Sequence, residues 1–425
     1  MRMRLVAMAV VAGALVAFQA QAEFRFPMPE FESGYQYPPM NTPPPSRIPV
    51  AIDVTVLMVA LGLTAYAVLV ARSRRLVFVL SVASLIYFGF YRKGCVCPVG
   101  SVQNVFEMLL GRSTGLPVVV AVFFLLPLVF ALYFGRVFCA SVCPLGAAQE
   151  MCAVYPVQVP RSVESVLGLI PYAYLGLAGV GVATGSGYLI CRYDPFVGFF
   201  RRGASFWMLI AGGVLLVIGI LIARPYCRYL CPYGVLLRWA SRFSKWHASV
   251  TPAECTQCRL CEDACPYAAI VYPTPAQAPV SRRVGARKLG ILLAATPLII
   301  LAGALAGYGL SNTLARLQPT VRLAERLGAE ETGRAADGTP IKVSLEVETF
   351  QAGQKTADEL YAEARTAAGQ FKPVSALFGA FLGLVVSGRL LRLSVVRQRK
   401  DYEADKAACL SCARCFDYCP VEKKG

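Results

Sequence analysis

Two stretches far apart in the chain share one cysteine spacing: CTQCRLCEDACP at 255–266 and CLSCARCFDYCP at 409–420. Both read C-x2-C-x2-C-x3-C-P, a spacing that wraps a tight loop around a [4Fe–4S] cluster and turns the chain away at the proline. Three thiolates of a run take one iron each, and the fourth cysteine reaches across to the cluster of the other run. The expected ligand sets are therefore Cys255, Cys258, Cys261 and Cys419 for one cluster, and Cys409, Cys412, Cys415 and Cys265 for the other. A zinc site or a disulfide set would also use cysteines. Zinc sites usually close with two pairs of ligands, and zinc gives no reason for a fourth cysteine followed by proline in both runs.

The rest of the chain does not read as a soluble protein. Of 425 residues 56% are hydrophobic, and the mean hydropathy is +0.54. Residues 1–22 start MRMR, continue through an apolar stretch and end Ala20-Gln21-Ala22, the pattern of a secretory signal peptide. Residues 23–49 are rich in proline and should form an extended segment. Seven apolar segments follow, near 50–71, 76–91, 117–135, 163–184, 205–223, 289–310 and 374–396. Threading them inward from the signal peptide places RSRR (72–75), Arg224, Arg228, Arg238, Arg242, Lys245, RRVGARK (282–288) and the block Arg389 to Lys400 on the cytoplasmic side. Only Arg201 and Arg202 conflict. The formal charge of +17 thus has its cause in membrane orientation, and an anionic membrane surface rather than nucleic acid is its expected partner.

Both runs must lie on one side of the membrane to share clusters, and two apolar segments between them carry the chain out and back. The fold class expected is mainly α: a polytopic transmembrane bundle of about seven helices after a signal peptide, with the two runs forming a split, bacterial-type two-cluster ferredoxin module on the cytoplasmic side. The expected order is the signal peptide (1–22), a periplasmic proline-rich segment (23–49), a five-helix membrane domain (50–245), the first ferredoxin half (246–288), a membrane helix (289–311), a periplasmic insert (312–373), a membrane helix (374–396) and the second ferredoxin half (397–425). Within the insert, LAERLGAEE and ADELYAEARTAA have the pattern of amphipathic helices, of a small cap or a solvated spacer. Asp53 and Glu164 fall near segment ends, where an interfacial position is expected.

A second cysteine pattern repeats inside the membrane domain. GCVCPVGSVQN (94–104), CASVCPLGAAQE (139–150) and CRYLCPYGVLLRW (227–239) each carry Cys-Pro, an apolar residue and glycine beside an apolar segment. Cys139, Cys143, Cys227 and Cys231 could supply a complete iron or iron–sulfur ligand set at the membrane edge, against the alternative that they pack as small apolar residues. Cys95, Cys97 and Cys191 fall on the outer side, where a disulfide, a metal or a labile redox pair all compete. Cys152 has no partner in sequence and reads as structural. The sole histidine, His247, in a basic linker, reads as structural too, and its isolation excludes bis-histidine haem.

On the strength of CASVCPLG, CRYLCPYG and the two runs, residues 50–425 resemble the membrane polyferredoxins of the NosR/NirI and NapH type, and more distantly CcoG. The resemblance implies a polytopic protein that moves electrons between a quinol or flavin and a partner at the membrane. It departs from the NosR pattern in lacking a periplasmic flavin domain: STGLP (113–117) and ATGSG (183–187) do not fit the FMN-attachment motif. A quinone, or a separate periplasmic FMN-binding protein, is then the expected partner, with a bacterial inner membrane as the location. Two other roles fit the same cysteines: a redox-sensing regulatory membrane protein, and a cysteine-based reductant in the maturation of a metalloenzyme. Few charges lie inside the apolar segments, which argues against a transporter.

Overall fold

The computed structural model of the chain describes residues 47–92, 98–113, 115–154, 156–201, 205–250, 255–274, 282–331, 345–353, 355–394, 399 and 401–420. The expected signal peptide, nearly all of the proline-rich segment, and Cys95 with Cys97 lie outside these residues. The described chain is mainly helical, and all seven apolar segments form helices. Five stretches are long and apolar enough to cross a membrane: Val50–Leu69, Arg74–Tyr91, Ser162–Ala183, Arg283–Gly309 and Ala357–Ser394. Val118–Phe134 and Phe206–Leu221 are shorter. Large apolar side chains on their outer faces stay exposed, among them Val217, Leu298, Leu301 and Leu305, as lipid-facing residues do. These helices make it a membrane protein.

The chain divides into two compact units. The first comprises residues up to 163, 194–273 and from 399 onward, so it holds both cysteine runs and all the described Cys-Pro repeats. Helix Arg47–Leu69 pairs with Arg74–Ser84, which continues as a π-helical turn, Leu85–Tyr91. Asp53 lies near the start of the span Val50–Leu69. It is buried, accepts a hydrogen bond from Tyr87 Oη at 3.0 Å and pairs with Arg92 Nη2 at 2.6 Å, so its charge is compensated within the helix pair.

Each Cys-Pro repeat follows an apolar helix and opens a new one. After Val118–Phe134, Gly135 turns the chain with φ of 78°, a π-helical turn spans Phe138–Val142, and helix Pro144–Cys152 starts at the proline. After Phe206–Leu221, Arg224 takes the left-handed conformation (φ 52°), a short helix Pro225–Tyr229 follows, and helix Pro232–Ser241 again starts at a proline. Pro98–Leu109 begins the same way. Proline suits this position because its missing N–H falls among donors that a helix start leaves unpaired in any case.

The two runs come together in a small module. Strands Ile270–Val271 and Glu403–Ala404 pair antiparallel, Ile270 opposite Ala404 and Val271 opposite Glu403. Asp405 N donates to Ala269 O at 2.8 Å beside them, and Cys409 N to Asp405 O at 2.8 Å. Short helices Leu260–Asp263 and Arg414–Asp417 pack on each other. A remote pairing of halves, with opposed strand residues 132 and 134 positions apart in sequence, is what the shared cysteine pattern demanded.

The second unit comprises residues 164–193 and 274–398. Its membrane helices Arg282–Gly309 and Ala357–Ser394 pack along a seam of small residues. Gly303 faces Gly379, Gly307 faces Ser375 and Gly383 faces Ile299, an opposite order that makes the pair antiparallel. A Cβ on any of these glycines would run into the neighbouring backbone. The second helix has 38 residues and is about 57 Å long, nearly twice a bilayer core of about 30 Å. Its start is fixed by a capping box, with Thr356 N donating to Glu359 Oε2 at 3.1 Å and Glu359 N to Thr356 Oγ1 at 3.4 Å. ADELYAEARTAA is therefore the first half of the membrane helix, which continues through Pro373 where the insert was expected to end. That half joins helices Ser311–Ala315, Pro319–Glu331 and Leu345–Gln351 around a core of Val321, Leu327, Val347, Leu360 and Phe371. A packed cap, not a spacer, stands there. Its exposed ion pairs, Arg316–Glu325 at 3.1 Å and Lys355–Glu363 at 2.9 Å, contribute little.

Replacing Gly379 by Leu should push the two membrane helices apart and destabilise the second unit by about 1–3 kcal/mol. Thermal unfolding in detergent should show the loss, and Gly369→Leu, on the same helix with open space around it, should not.

Candidate iron–sulfur site

The two runs share a backbone as well as a spacing. Gln257 and Arg259 in the first take positive φ (52° and 65°), and Ser411 and Ala413, at the same places in the second, do likewise (53° and 63°). Seven described non-glycine residues have positive φ; these four, with Ala268, lie in the module. Such conformations cost of order 1–2 kcal/mol each and persist where the surroundings impose them. Alternating right- and left-handed residues turn successive N–H groups toward one concavity, a nest for an anionic sulfur group. Ser411 N already donates to Cys409 Sγ at 3.4 Å.

Thiols of the two runs lie in electrostatic reach of one another, Cys415 of Cys261 among them. Cys265, from the first run, lies within electrostatic reach of Cys412, and both Cys409 and Cys415 feel Cys412 and Cys265. Cys261 is in reach of Cys258 and Cys255. Cys419 follows the Arg414–Asp417 turn and is half-buried. Burial pushes the Cys409 thiol up to about 12 and raises those of Cys415 and Cys265. Left bare, these thiols would keep their protons at neutral pH; a metal would displace them. Among the described residues no three Cys, His, Asp or Glu side chains converge on a single point. A cuboidal cluster needs no such convergence, since its ligands sit at separate corners. A thiol-only donor set in a nest of N–H groups fits an iron–sulfur cluster.

Beside the second run lie the two described Cys-Pro elbows. Cys139, Cys143, Cys227 and Cys231 are all buried. The Cys143 and Cys227 thiols are hydrogen-bonded to each other, and Cys139 lies in reach of Cys227. Gln149 Nε2 donates to Cys227 Sγ at 3.5 Å and to Leu145 O at 2.9 Å, while its Oε1 accepts from Tyr226 N at 2.9 Å. Gly234 N donates to Cys231 Sγ at 3.3 Å. The glycines of the repeat have a spatial reason. A Cβ on Gly146 would lie 3.4 Å from Arg224 Nη1 and 3.6 Å from Cys227 Sγ; one on Gly234 would lie 3.6 Å from Arg136 Nη2. Each elbow glycine thus lies against a guanidinium.

One carboxylate holds this region together. Glu150 is fully buried, and its Oε2 pairs with Arg224 Nε at 2.8 Å, Arg224 being equally buried. Glu150 Oε1 pairs with Arg74 and, at 2.8 Å, with Arg414 Nη2, while Tyr267 Oη donates to Oε2 at 3.1 Å. Arg224 also donates to Cys139 O and, at 2.8 Å, to Ala140 O. Arg74 Nη1 donates to Cys412 O at 3.2 Å, Arg228 Nη1 to Pro266 O at 3.1 Å and Arg136 Nη1 to Ala407 O at 3.4 Å. The elbows are thereby bonded to both runs. Burial pushes the Glu150 carboxyl up, but Arg224, Arg74 and Arg414 outweigh it and hold it at about 2.

Sequence reasoning placed Arg224 and Arg228 among orientation-setting surface charges; the structure buries both. It passed over Glu150 and Arg136 altogether. A lone acid within two basic, cysteine-bearing elbows was the available signal. Arg414 spends its charge on Glu150, whereas Arg259 is exposed. Cys191 is half-buried in the short helix Leu189–Tyr193 of the second unit, and Cys152 is half-buried at the end of the second elbow helix. His247 is half-buried, and its imidazole pKa is lowered by burial and then by Lys406.

Comparison with known proteins matches these elements. A family described as a 4Fe-4S binding domain matches three times, at residues 76–117, 116–156 and 204–250, each match containing one Cys-Pro repeat. A second family, also a 4Fe-4S binding domain, matches residues 248–271, the first run. An uncharacterized protein of Methanocaldococcus jannaschii is 40% identical over 60 residues, 14% of this chain and 24% of that protein. The Escherichia coli protein named "Putative electron transport protein YccM" is 33% identical over 81 residues, 19% of this chain and 22% of that protein. The chain spans about a quarter of the length of these relatives. No solved structure matches. The chain carries ferredoxin-type 4Fe-4S binding domains.

Glu150→Gln leaves Arg224 buried without its counter-charge and should destabilise the first unit by about 3–5 kcal/mol. The carboxyl is lowered from its ordinary 4.5, so its contribution is full above that value and fades as pH falls toward 2. Unfolding of the native protein should therefore steepen below about pH 4.5, and that acid-dependent loss should shrink in Glu150→Gln.

Proposed function

We propose that this protein is a membrane-bound iron–sulfur electron carrier with three sulfur centres in sequence. Cys255, Cys258, Cys261 and Cys419 would hold one [4Fe–4S] cluster and Cys409, Cys412, Cys415 and Cys265 a second. Cys139, Cys143, Cys227 and Cys231 would hold a third centre at the elbows. The observation that carries the reading is the crossing of Cys265 into the neighbourhood of the second run, with the elbow thiols hydrogen-bonded beside it. Family matches on both elbows favour a metal–sulfur role over simple packing.

Bound there, the clusters supply one-electron redox chemistry. The chain's own part is spacing and exposure. The first run faces solvent, with Cys258 exposed and Cys255 and Cys261 half-buried. The second is more enclosed, with Cys412 buried and Ala413 and Phe416 packed in a core that includes Ala140 of the second elbow. A soluble partner therefore reaches the first run, and the membrane partner the elbow side. Electron tunnelling falls steeply with distance, so a row of sites fixed by buried ion pairs is the arrangement such transfer needs. The membrane partner in this reading is a quinone or a periplasmic flavoprotein, with the module on the cytoplasmic side of a bacterial inner membrane.

Anaerobically purified protein should contain about twelve irons per chain, against about eight for the two runs alone. Cys139→Ser with Cys227→Ser should remove about four of them and one low-temperature EPR signal, and Cys265→Ser a different signal. A count that stays at about eight, unmoved by the elbow substitutions, would leave the two runs as the only centres. Reduction of the EPR-active centres by a quinol analogue tests the membrane partner.

A further inference from the structure

Two arginines stand between the elbow sulfurs and the second run. Arg136 is 2% exposed; its Nη2 donates to Cys139 Sγ at 3.8 Å and its Nη1 to Ala407 O, two residues before Cys409. Arg224 is 0% exposed; it bonds to Cys139 O, Ala140 O and Glu150. Each guanidinium is in electrostatic reach of thiols on both sides, Arg136 of Cys139 and Cys409, Arg224 of Cys227 and Cys412.

A structural peg would need only hydrogen bonds or a counter-ion. Arg136 makes no ion pair among the described residues, and Glu150 is shared by Arg74, Arg224 and Arg414. The buried region thus holds more cations than carboxylates. An uncompensated buried guanidinium costs several kcal/mol, so anions must meet the excess. The groups in electrostatic reach of Arg224 that can become anionic are Tyr267, Glu150 and the sulfurs of Cys227 and Cys412, and Arg136 is in reach of the sulfurs of Cys139 and Cys409. A Cβ at 146 or 234 would lie in ordinary van der Waals contact with Arg224 Nη1 (3.4 Å) or Arg136 Nη2 (3.6 Å), which places each guanidinium directly against an elbow.

We infer that Arg136 and Arg224 are positioning residues common to two centres: they stabilise the added electron at the elbow site and at the second run alike, and so link the reduction potentials of the two. This rests on the proposal that the elbow cysteines hold a centre of their own. A charge some 6–8 Å away in an effective dielectric of about 20 shifts a reduction equilibrium by about 30- to 100-fold. Tenfold is about 59 mV for one electron.

The test is an EPR-monitored redox titration of anaerobically purified holoprotein, with iron determined in parallel. Arg136→Gln should lower the potentials of the elbow centre and the second-run centre together, by about tenfold or more in the reduction equilibrium each. Arg136→Lys, which keeps the charge, should restore most of the shift at both. Arg326→Gln, an exposed site in the second unit, should move neither. Unchanged potentials with full iron content, or a shift at one centre alone, would overturn the inference while leaving the elbow centre in place. Failure of the underlying reading looks different: iron and EPR signals would then be indifferent to Cys139→Ser and Cys227→Ser. If Arg136→Gln is recovered without iron, the lysine variant decides. A shift under about threefold at both centres supports a charge effect, and one as large as tenfold at either refutes it.

Discussion

A single buried carboxylate sets the geometry of the first unit. Glu150 has no water to solvate it, so it is tolerable only while Arg224, Arg74 and Arg414 converge on it and Tyr267 donates a hydrogen bond. Those partners come from four places: the apolar helix Arg74–Ser84, the third elbow, and each of the two cysteine runs. Desolvation makes the arrangement all-or-none, because removing one arm strands the others. A weak surface contact could not hold two remote cysteine loops in register with membrane helices. A buried ion network can, since every alternative packing leaves a charge without a partner.

The Cys-Pro-x-Gly repeat is intelligible in the same terms. Proline starts a helix without wasting a donor, and the cysteine before it sits at the helix start, where Gly234 N reaches back to Cys231 Sγ. The glycine lies against an adjacent guanidinium. Each residue of the repeat therefore serves one local geometry: a thiol presented at a helix N-terminus, with a cation beside it. The same three-part device occurs at 143–146 and 231–234, and its sequence pattern recurs at 97–100.

What could be read from the sequence was whatever depends on spacing. The two runs, the three repeats and the apolar segments all follow from intervals between residues, and the pairing of Ile270 with Ala404 brings the two runs into one module. What could not be read was which charges turn inward. Arg224 beside an apolar segment looks like any orientation signal, and nothing local shows that Glu150, 74 residues earlier, will meet it. Pro373 likewise looked like a helix boundary; a capping box at Thr356 and a glycine seam on Arg282–Gly309 carry the helix through it. Tertiary partners override local signals in both cases.

The asymmetry between the runs is the last consequence of that network. Their backbones match at the left-handed positions, so differences between them come from side chains and surroundings rather than from loop conformation. Arg259 is exposed and Cys258 faces water, whereas Ala413 and Cys412 are buried against the elbow side, with Arg74 held to the Cys412 carbonyl. Solvent screens the charges near the first loop, and a low dielectric strengthens those near the second. Cluster potentials respond to hydrogen bonds, net charge and solvent exposure. In the proposed reading, two copies of one loop, set in a wet and a dry environment, would take different potentials without any change in ligand. The burial of Glu150 and its arginines makes that difference.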